Sequence, residues 1–219
     1  MIKKNWKLLI VTSLVLLLPM VGGLLLWDKL PDMIPSHWDI HGKVDSWSSK
    51  PFAVFFFPGL LLGFHWLCAF ASTTDPKYKN WNPKMLTLVL WICPVLSLVL
   101  NTLVFSTALG YAMKVELIMP LLVGAMFIIV GNLLPKCSQS YTLGIKLPWT
   151  LASEENWNKT HRFGGKVWVA GGVFTMASAL LGSIWLLIGV LVVMVAAPTL
   201  YSYLYYRKHE QDGGHKDEA

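Results

Sequence analysis

Charge is scarce in this sequence. Only 14% of its 219 residues are Asp, Glu, Lys or Arg, and residues 167–206 contain none. A soluble domain normally carries about a quarter charged residues. The shortage, together with 55% hydrophobic residues and a mean hydropathy of +0.54, excludes an ordinary water-soluble domain and indicates a chain dissolved in lipid. Cysteine is nearly as rare: Cys68 and Cys93 fall inside apolar runs and only Cys137 outside them, so no outer disulfide framework is expected. Catalytic signatures are missing too, with no His-Glu-x-x-His helix, Gly-x-Ser-x-Gly elbow or phosphate loop, which argues against an enzyme. The apolar runs hold His65 and Asn101 as their notable polar groups, each read as a hydrogen-bonded packing residue. An ion-coupled transporter would place more charge there, and no inverted repeat is evident. A transporter or a metal-dependent membrane enzyme stays as the alternative.

What is present is a series of uncharged windows long enough for helices that cross a core of about 30 Å. Six are expected: Leu8 to Trp27, Pro51 to Thr74, one within Met85 to Met113, Leu117 to Pro135, and two within Val167 to Tyr206 divided near Gly182 and Ser183. Lipid offers no partner to an unpaired backbone group, so these runs must be helical. The fold class is therefore all-α, a polytopic membrane protein forming one membrane domain over residues 1–219. The N-terminal run has no small-residue cleavage site before Asp28 and reads as a retained helix, not a signal peptide.

Fourteen of the 18 Lys and Arg residues flank alternate ends of these helices: Lys3, Lys4 and Lys7; Lys77, Lys79 and Lys84; Lys136, Lys146, Lys159, Arg162 and Lys166; and Arg207, Lys208 and Lys216. The other segments hold only Lys29, Lys43, Lys50 and Lys114. Positive residues favour the cytoplasmic side, which puts both termini there. The net charge of +6 then marks a rim facing anionic lipid, with no need for nucleic acid. Trp6, Trp27, Trp47, Tyr78, Trp81, Tyr111, Tyr203, Tyr205 and Tyr206 suit the aromatic belts at the two surfaces. The tail, residues 207–219, is polar and expected to be disordered.

Two loops are too long to be plain connectors. The outer one, residues 28–50, gathers histidines and aspartates. Extended, His37, Asp39 and His41 would share a face; helical after Pro35, His37, His41 and Asp45 would. Either set could hold zinc, although no fourth ligand or cysteine is evident. The plain alternative is a turn-rich surface segment built on Pro31, Pro35, Asp32, Gly42 and Asp45. The inner loop, residues 136–162, has turns around Gly144 and Pro148 and a helix from about Ser153, with Glu154 and Glu155 in its first turn. Trp157, His161, Gly164 and Trp168 recur on one face of that helix, and Lys159, Arg162 and Lys166 are expected near phosphates or an acidic partner.

These two loops carry a resemblance. Pro35, His37, Trp38, Gly42 and Asp45 in the first, and Gly131, Asn132, Pro135, Lys136, Gly144, Ile145, Lys146, Pro148, Trp149, Thr150, Trp157, Thr160, His161 and Arg162 in the second, resemble the two signature segments of the SdpI family of bacterial immunity proteins. Lys146 stands where arginine is often expected, and Ser140 near a position for asparagine; a lysine loses the planar fork. The resemblance implies protection of the producing bacterium against a secreted SDP-like killing peptide in the plasma membrane; Pro35, His37, Trp38, Asp39, His41, Gly42 and Asp45 are the candidates for sensing it. It also implies, for some members, capture of a transcriptional repressor at the cytoplasmic face. Membrane lipid is the remaining partner, and no cofactor is implied.

Overall fold

The computed structural model describes residues 2–77 and 83–211. Tyr78, Lys79, Trp81 and the tail from residue 212, with Lys216, lie outside the described residues. Six helices are long and apolar enough to cross a membrane, as the uncharged windows require. The contacts divide the chain into two compact units, residues 1–74 with 86–116 and residues 75–85 with 117–219.

The first unit is built on α1 (Ile2–Leu25), α2 (Phe57–Thr74) and most of α3 (Pro83–Ala108). A π-helical turn, Phe52–Phe56, leads into α2. Leu9, Ala69, Leu86 and Leu90 form one buried cluster. Polar side chains tie the helices together where lipid cannot compete for them. The Ser97 hydroxyl donates to Leu16 O at 2.8 Å, and the Asn101 amide donates to Ser97 O at 2.8 Å. Asn101 is thus the satisfied packing residue the sequence suggests, whereas His65 is only half so. The Thr12 hydroxyl donates back to Leu8 O and Leu9 O and so meets His65 Nε2, 3.1 Å away, as an acceptor. The fully buried His65 is left with an unpartnered Nδ1 among the described residues.

The segment between α1 and α2 is neither a plain loop nor a helix. It is an antiparallel hairpin of β1 (Met33–Trp38) and β2 (Val44–Ser49), pairing Ile34 with Ser48, Pro35 with Trp47 and Trp38 with Val44, with register shifts on either side of His37. A lone two-stranded hairpin is marginal in water. This one is anchored by Ile34, fully buried in a cluster with Leu30, Ala53, Val54 and Phe105. Lys50 fastens its base: the Lys50 N–H donates to Asp32 O, and its ammonium donates to Trp27 O and pairs with the Asp32 carboxylate at 3.3 Å.

The second unit contains most of α4 (Val115–Leu133), a 3-10 turn Leu134–Lys136, α5 (Pro148–Ala152), α6 (Glu154–Leu181) and α7 (Ile184–Tyr206). α6 starts where the sequence signals it: the Ser153 hydroxyl accepts from the Asn156 N–H, with Glu154 and Glu155 in the first turn. It stops at Gly182 (φ 60), and Ser183 caps α7, confirming the expected division of the long uncharged run. α4 and α6 touch backbone to backbone at two glycine pairs. A Cβ on Gly172 would lie 2.6 Å from Gly124 O, and one on Gly165 would lie 2.7 Å from Gly131 O. Beyond α7 the chain stays helical: Arg207–Gln211 form a π-helical turn. That corrects the expectation of disorder for residues 207–211, because the Arg207 N–H continues the ladder onto Tyr203 O and Leu204 O.

Candidate functional site

The hairpin presents the first set of signature residues on a tight frame. Asp39 organises the turn, its carboxylate accepting from the His41 and Lys43 N–H groups at 2.9 Å each. Those two backbone bonds, Lys43 first, hold the exposed Asp39 carboxyl below its ordinary range. Gly42 adopts φ 74, and any Cβ there would strike the Glu116 carboxylate. His37 and Asp45 form an exposed pair, Nδ1 to Oδ1, at 2.6 Å. The two zinc geometries drawn from the sequence are therefore not those of the folded chain. The bulges at His37 break the alternation, Asp39 is committed to the turn, and His41 projects from the turn into solvent. Among the described residues no three His, Cys, Asp or Glu side chains converge as a metal site. Pro35 is buried, Trp38 is half-buried and Trp47 is exposed.

Just past the hairpin, α2 carries an apolar groove of about 940 Å3 lined by Phe52, Phe55, Phe56, Gly59, Leu60 and Phe64, with Pro51 at its start. Neither Gly59 nor Gly63 has any atom near the place of a Cβ, so these glycines keep the groove open.

The loop between α4 and α6 is folded around residues whose side chains bond inward. Asp75, which the sequence reading passed over, is its hub. Its Oδ2 accepts from Ser140 Oγ at 2.6 Å and from the Tyr141 and Thr142 N–H groups at 2.9 and 2.8 Å, while Oδ1 accepts from the Lys77 N–H at 2.8 Å. Burial works to raise the Asp75 pKa, but the bonds from Ser140, Thr142 and Lys77 outweigh it and hold the carboxyl below its usual range. Ser140 also accepts from the Thr142 and Leu143 N–H groups, so the serine at the position where asparagine was expected is a fully used turn residue. The Lys77 ammonium meets Gln139 Oε1, and the Gln139 amide donates to Thr150 O and Leu151 O.

Further along, Pro148 opens α5 and the Thr150 hydroxyl accepts from the Leu147 N–H at 2.9 Å. Trp157 is fully buried; its indole N–H donates to Cys137 O at 2.8 Å, and its ring stacks on His161 at 4.0 Å. The Ile145 N–H can only donate, so His161 Nε2, 2.9 Å away, must be the accepting nitrogen, and Nδ1–H donates to Trp157 O at 2.8 Å. His161 is a neutral brace. Gly144 (φ 111) allows this closure, since a Cβ there would fall 2.5 Å from His161 Nε2. Asn156 and Ser202, also missed by the sequence reading, bind Trp149 and Thr160 into one network. Trp149 Nε1 donates to Ser202 Oγ, Ser202 Oγ to Asn156 Oδ1, and Thr160 Oγ1 to the same Oδ1, at 2.8, 2.9 and 3.0 Å. Ser202, a polar residue within an apolar run, could have been suspected, whereas Asn156 stands among other polar residues and carries no such signal. Burial, with the Asp75 charge, pushes the Cys137 thiol up to about 11, and all three cysteines are free.

The inward bonding leaves a cationic surface. Asn132, Pro135, Lys136, Lys146 and Arg162 are exposed. The Lys146 ammonium donates to Tyr141 O and Thr142 O, so it serves as a point charge that needs no arginine fork. Lys159 departs from the expectation of a free phosphate-facing cation: it pairs with Glu155 at 3.0 Å and with the Tyr205 hydroxyl.

Comparison with known proteins fits this division. Residues 136–202, the α4–α6 loop with α6 and most of α7, match the SdpI/YfhL protein family. The Immunity protein SdpI of Bacillus subtilis (strain 168) is 32% identical over 209 residues, covering 94% of this chain and 97% of that protein. The chain belongs to the SdpI family. The hairpin, whose residues resemble a signature of the same family, falls under a second description, a domain of unknown function (DUF1648) matching residues 14–62. No solved structure matches the chain. Family membership and six spanning helices make this a multi-pass protein of the plasma membrane.

Proposed function

We propose that this SdpI-family protein protects its cell against a secreted, membrane-active killing peptide that it meets at the hairpin. The observation that carries this reading is the likeness, over nearly its whole length, to a protein named as an immunity protein. The distribution of Lys and Arg supports a topology with the hairpin outside and both termini inside. A peptide that attacks membranes needs an apolar body, and the groove on α2 begins two residues after β2 ends. Trp47 and the groove phenylalanines would take that body, and His37, Asp39, His41 and Asp45 would fix its polar contacts.

The test is survival of a sensitive host challenged with an SDP-like peptide. A variant with His37, Trp38 and Asp45 changed to Ala, matched in membrane level, is expected to lose protection that the wild type gives. Failure of the wild type to protect would overturn the immunity reading; equal protection by both would remove the hairpin from it.

A second activity, capture of a transcriptional repressor, is favoured by the exposed Lys136, Lys146 and Arg162 on a firmly bonded loop. Changing Arg162 and Lys136 together to Ala should abolish recruitment of a fluorescent repressor to the membrane while leaving protection intact. Unchanged recruitment would remove this surface from the activity.

A further inference from the structure

The exposed side of α7 carries a groove that none of the described residues fills. Leu191, Val192, Val195, Ala196 and Tyr203 border a channel of about 710 Å3, with Trp149 of α5 among its walls. Its polar groups are turned away: the Thr199 hydroxyl donates to Val195 O, and the Trp149 N–H donates to Ser202 Oγ. From Leu191 to Tyr203 the helix rises about 18 Å, at roughly 1.5 Å per residue. Half of a hydrocarbon core of about 30 Å is roughly 15 Å. The channel is therefore one leaflet deep, too short for a partner helix that crosses the whole core and well matched to one acyl chain.

One end of the channel is built for a head group. Trp149 packs against Tyr203 and Tyr206, with ring centroids 5.4 and 5.8 Å apart, the kind of aromatic cluster that settles at head-group depth. Arg207 follows Tyr203 by four residues on a continuous helix, which places it next on the same stripe. Its side chain is exposed and has no carboxylate partner among the described residues. A guanidinium at that depth matches a phosphate bidentately.

We propose that this groove binds one anionic phospholipid, its acyl chain along α7 beside Trp149 and its phosphate at Arg207. The lipid is a structural ligand of the α5–α7 junction, distinct from the hairpin and from the cations of the α4–α6 loop.

The experiment is native mass spectrometry of the purified full-length protein in detergent, titrated with phosphatidylglycerol and phosphatidylcholine of identical chains. The wild type is expected to retain one phosphatidylglycerol with a preference of about fivefold, the change that one cation meeting anionic lipid gives. Arg207→Gln should erase the preference, and Arg207→Lys should restore part of it. Ala196→Phe, at an exposed groove position, should expel either lipid, whereas Val173→Phe on the equally lipid-facing side of α6 should not. Equal retention of the two lipids by the wild type would overturn the proposal, as would an Ala196→Phe variant that still holds lipid. Conversion of a dimer to a monomer by Ala196→Phe with the lipid count unchanged would do the same, giving the groove to a second copy of the chain.

Discussion

Replacing Asp75 by Ala should open the loop between α4 and α6. The carboxylate accepts four bonds, from Ser140 Oγ and from the N–H groups of Tyr141, Thr142 and Lys77. Hydrogen bonds to a charged group contribute about 1.5–3 kcal/mol each, but water recovers part of the loss once the loop opens, and Asp75 no longer has to be desolvated. A net cost of about 3 kcal/mol follows, which raises the open fraction about a hundredfold. Cys137 reports it directly. The thiol is buried beneath the loop with Met85 and Trp157 and has its pKa pushed up to about 11, so it should react slowly when the loop is closed and as an ordinary thiol when it is open. The assay is maleimide labelling of purified protein in a Cys68→Ala, Cys93→Ala background. Asp75→Ala should label about a hundred times faster than the wild type. Acid should mimic the substitution: a carboxyl held below 3.8 in the folded protein stabilises fully above its unfolded value and less as pH falls through the folded one. The wild-type melting temperature should therefore drop below about pH 4, with this component absent from Asp75→Ala. Equal labelling of the variant and the wild type would refute the view of Asp75 as the loop's hub.

Three further substitutions probe the frame. Gly144→Ala combines a positive φ of 111 with a clash at His161 Nε2. It should cost at least about 2 kcal/mol in detergent unfolding and should also expose Cys137. Gly172→Ala drives a Cβ to 2.6 Å from Gly124 O, a backbone atom that cannot rotate away, and is expected to cost about 2–3 kcal/mol; an unchanged melting temperature would contradict the backbone contact of α4 with α6. Ser97→Ala removes the donor to Leu16 O. It should cost only about 0.6–1.5 kcal/mol, the usual worth of a hydrogen bond between membrane helices, so a larger loss in thermal unfolding would mean that the bond holds more than α1 against α3.

The helices and their ends could be read from the sequence because their causes are local. An uncharged run in lipid has one backbone solution, and Ser153, Gly182 and Ser183 mark boundaries through their own hydrogen bonds and φ angles. The hairpin could not be read in the same way. Its strands are short, contain Pro35 and carry bulges at His37, and the burial of Ile34 that secures them depends in part on Phe105, far away in the chain. Asp75 was hidden for a related reason. An acid at the end of a membrane helix reads as a solvated rim charge until the turn at Ser140 folds onto it.

The loop between α4 and α6 separates two kinds of residue that a motif alone treats alike. Trp157 and His161 were legible as one helix face, but what they hold, Cys137 O and the Ile145 N–H, comes from a loop with no periodicity. Thr150 and Thr160 are bonded inward in the same way, and neither is free to meet a partner without undoing the loop. Lys136 and Arg162 are exposed, and their side chains hold no other element among the described residues. Substitutions in the first group should therefore change stability and every activity together, whereas substitutions in the second should change recognition alone. A residue such as Trp149 would be an exception: its indole both bonds to Ser202 and forms a wall of the α7 groove. Trp149→Phe, which keeps the aromatic wall and loses the N–H, would separate its two roles.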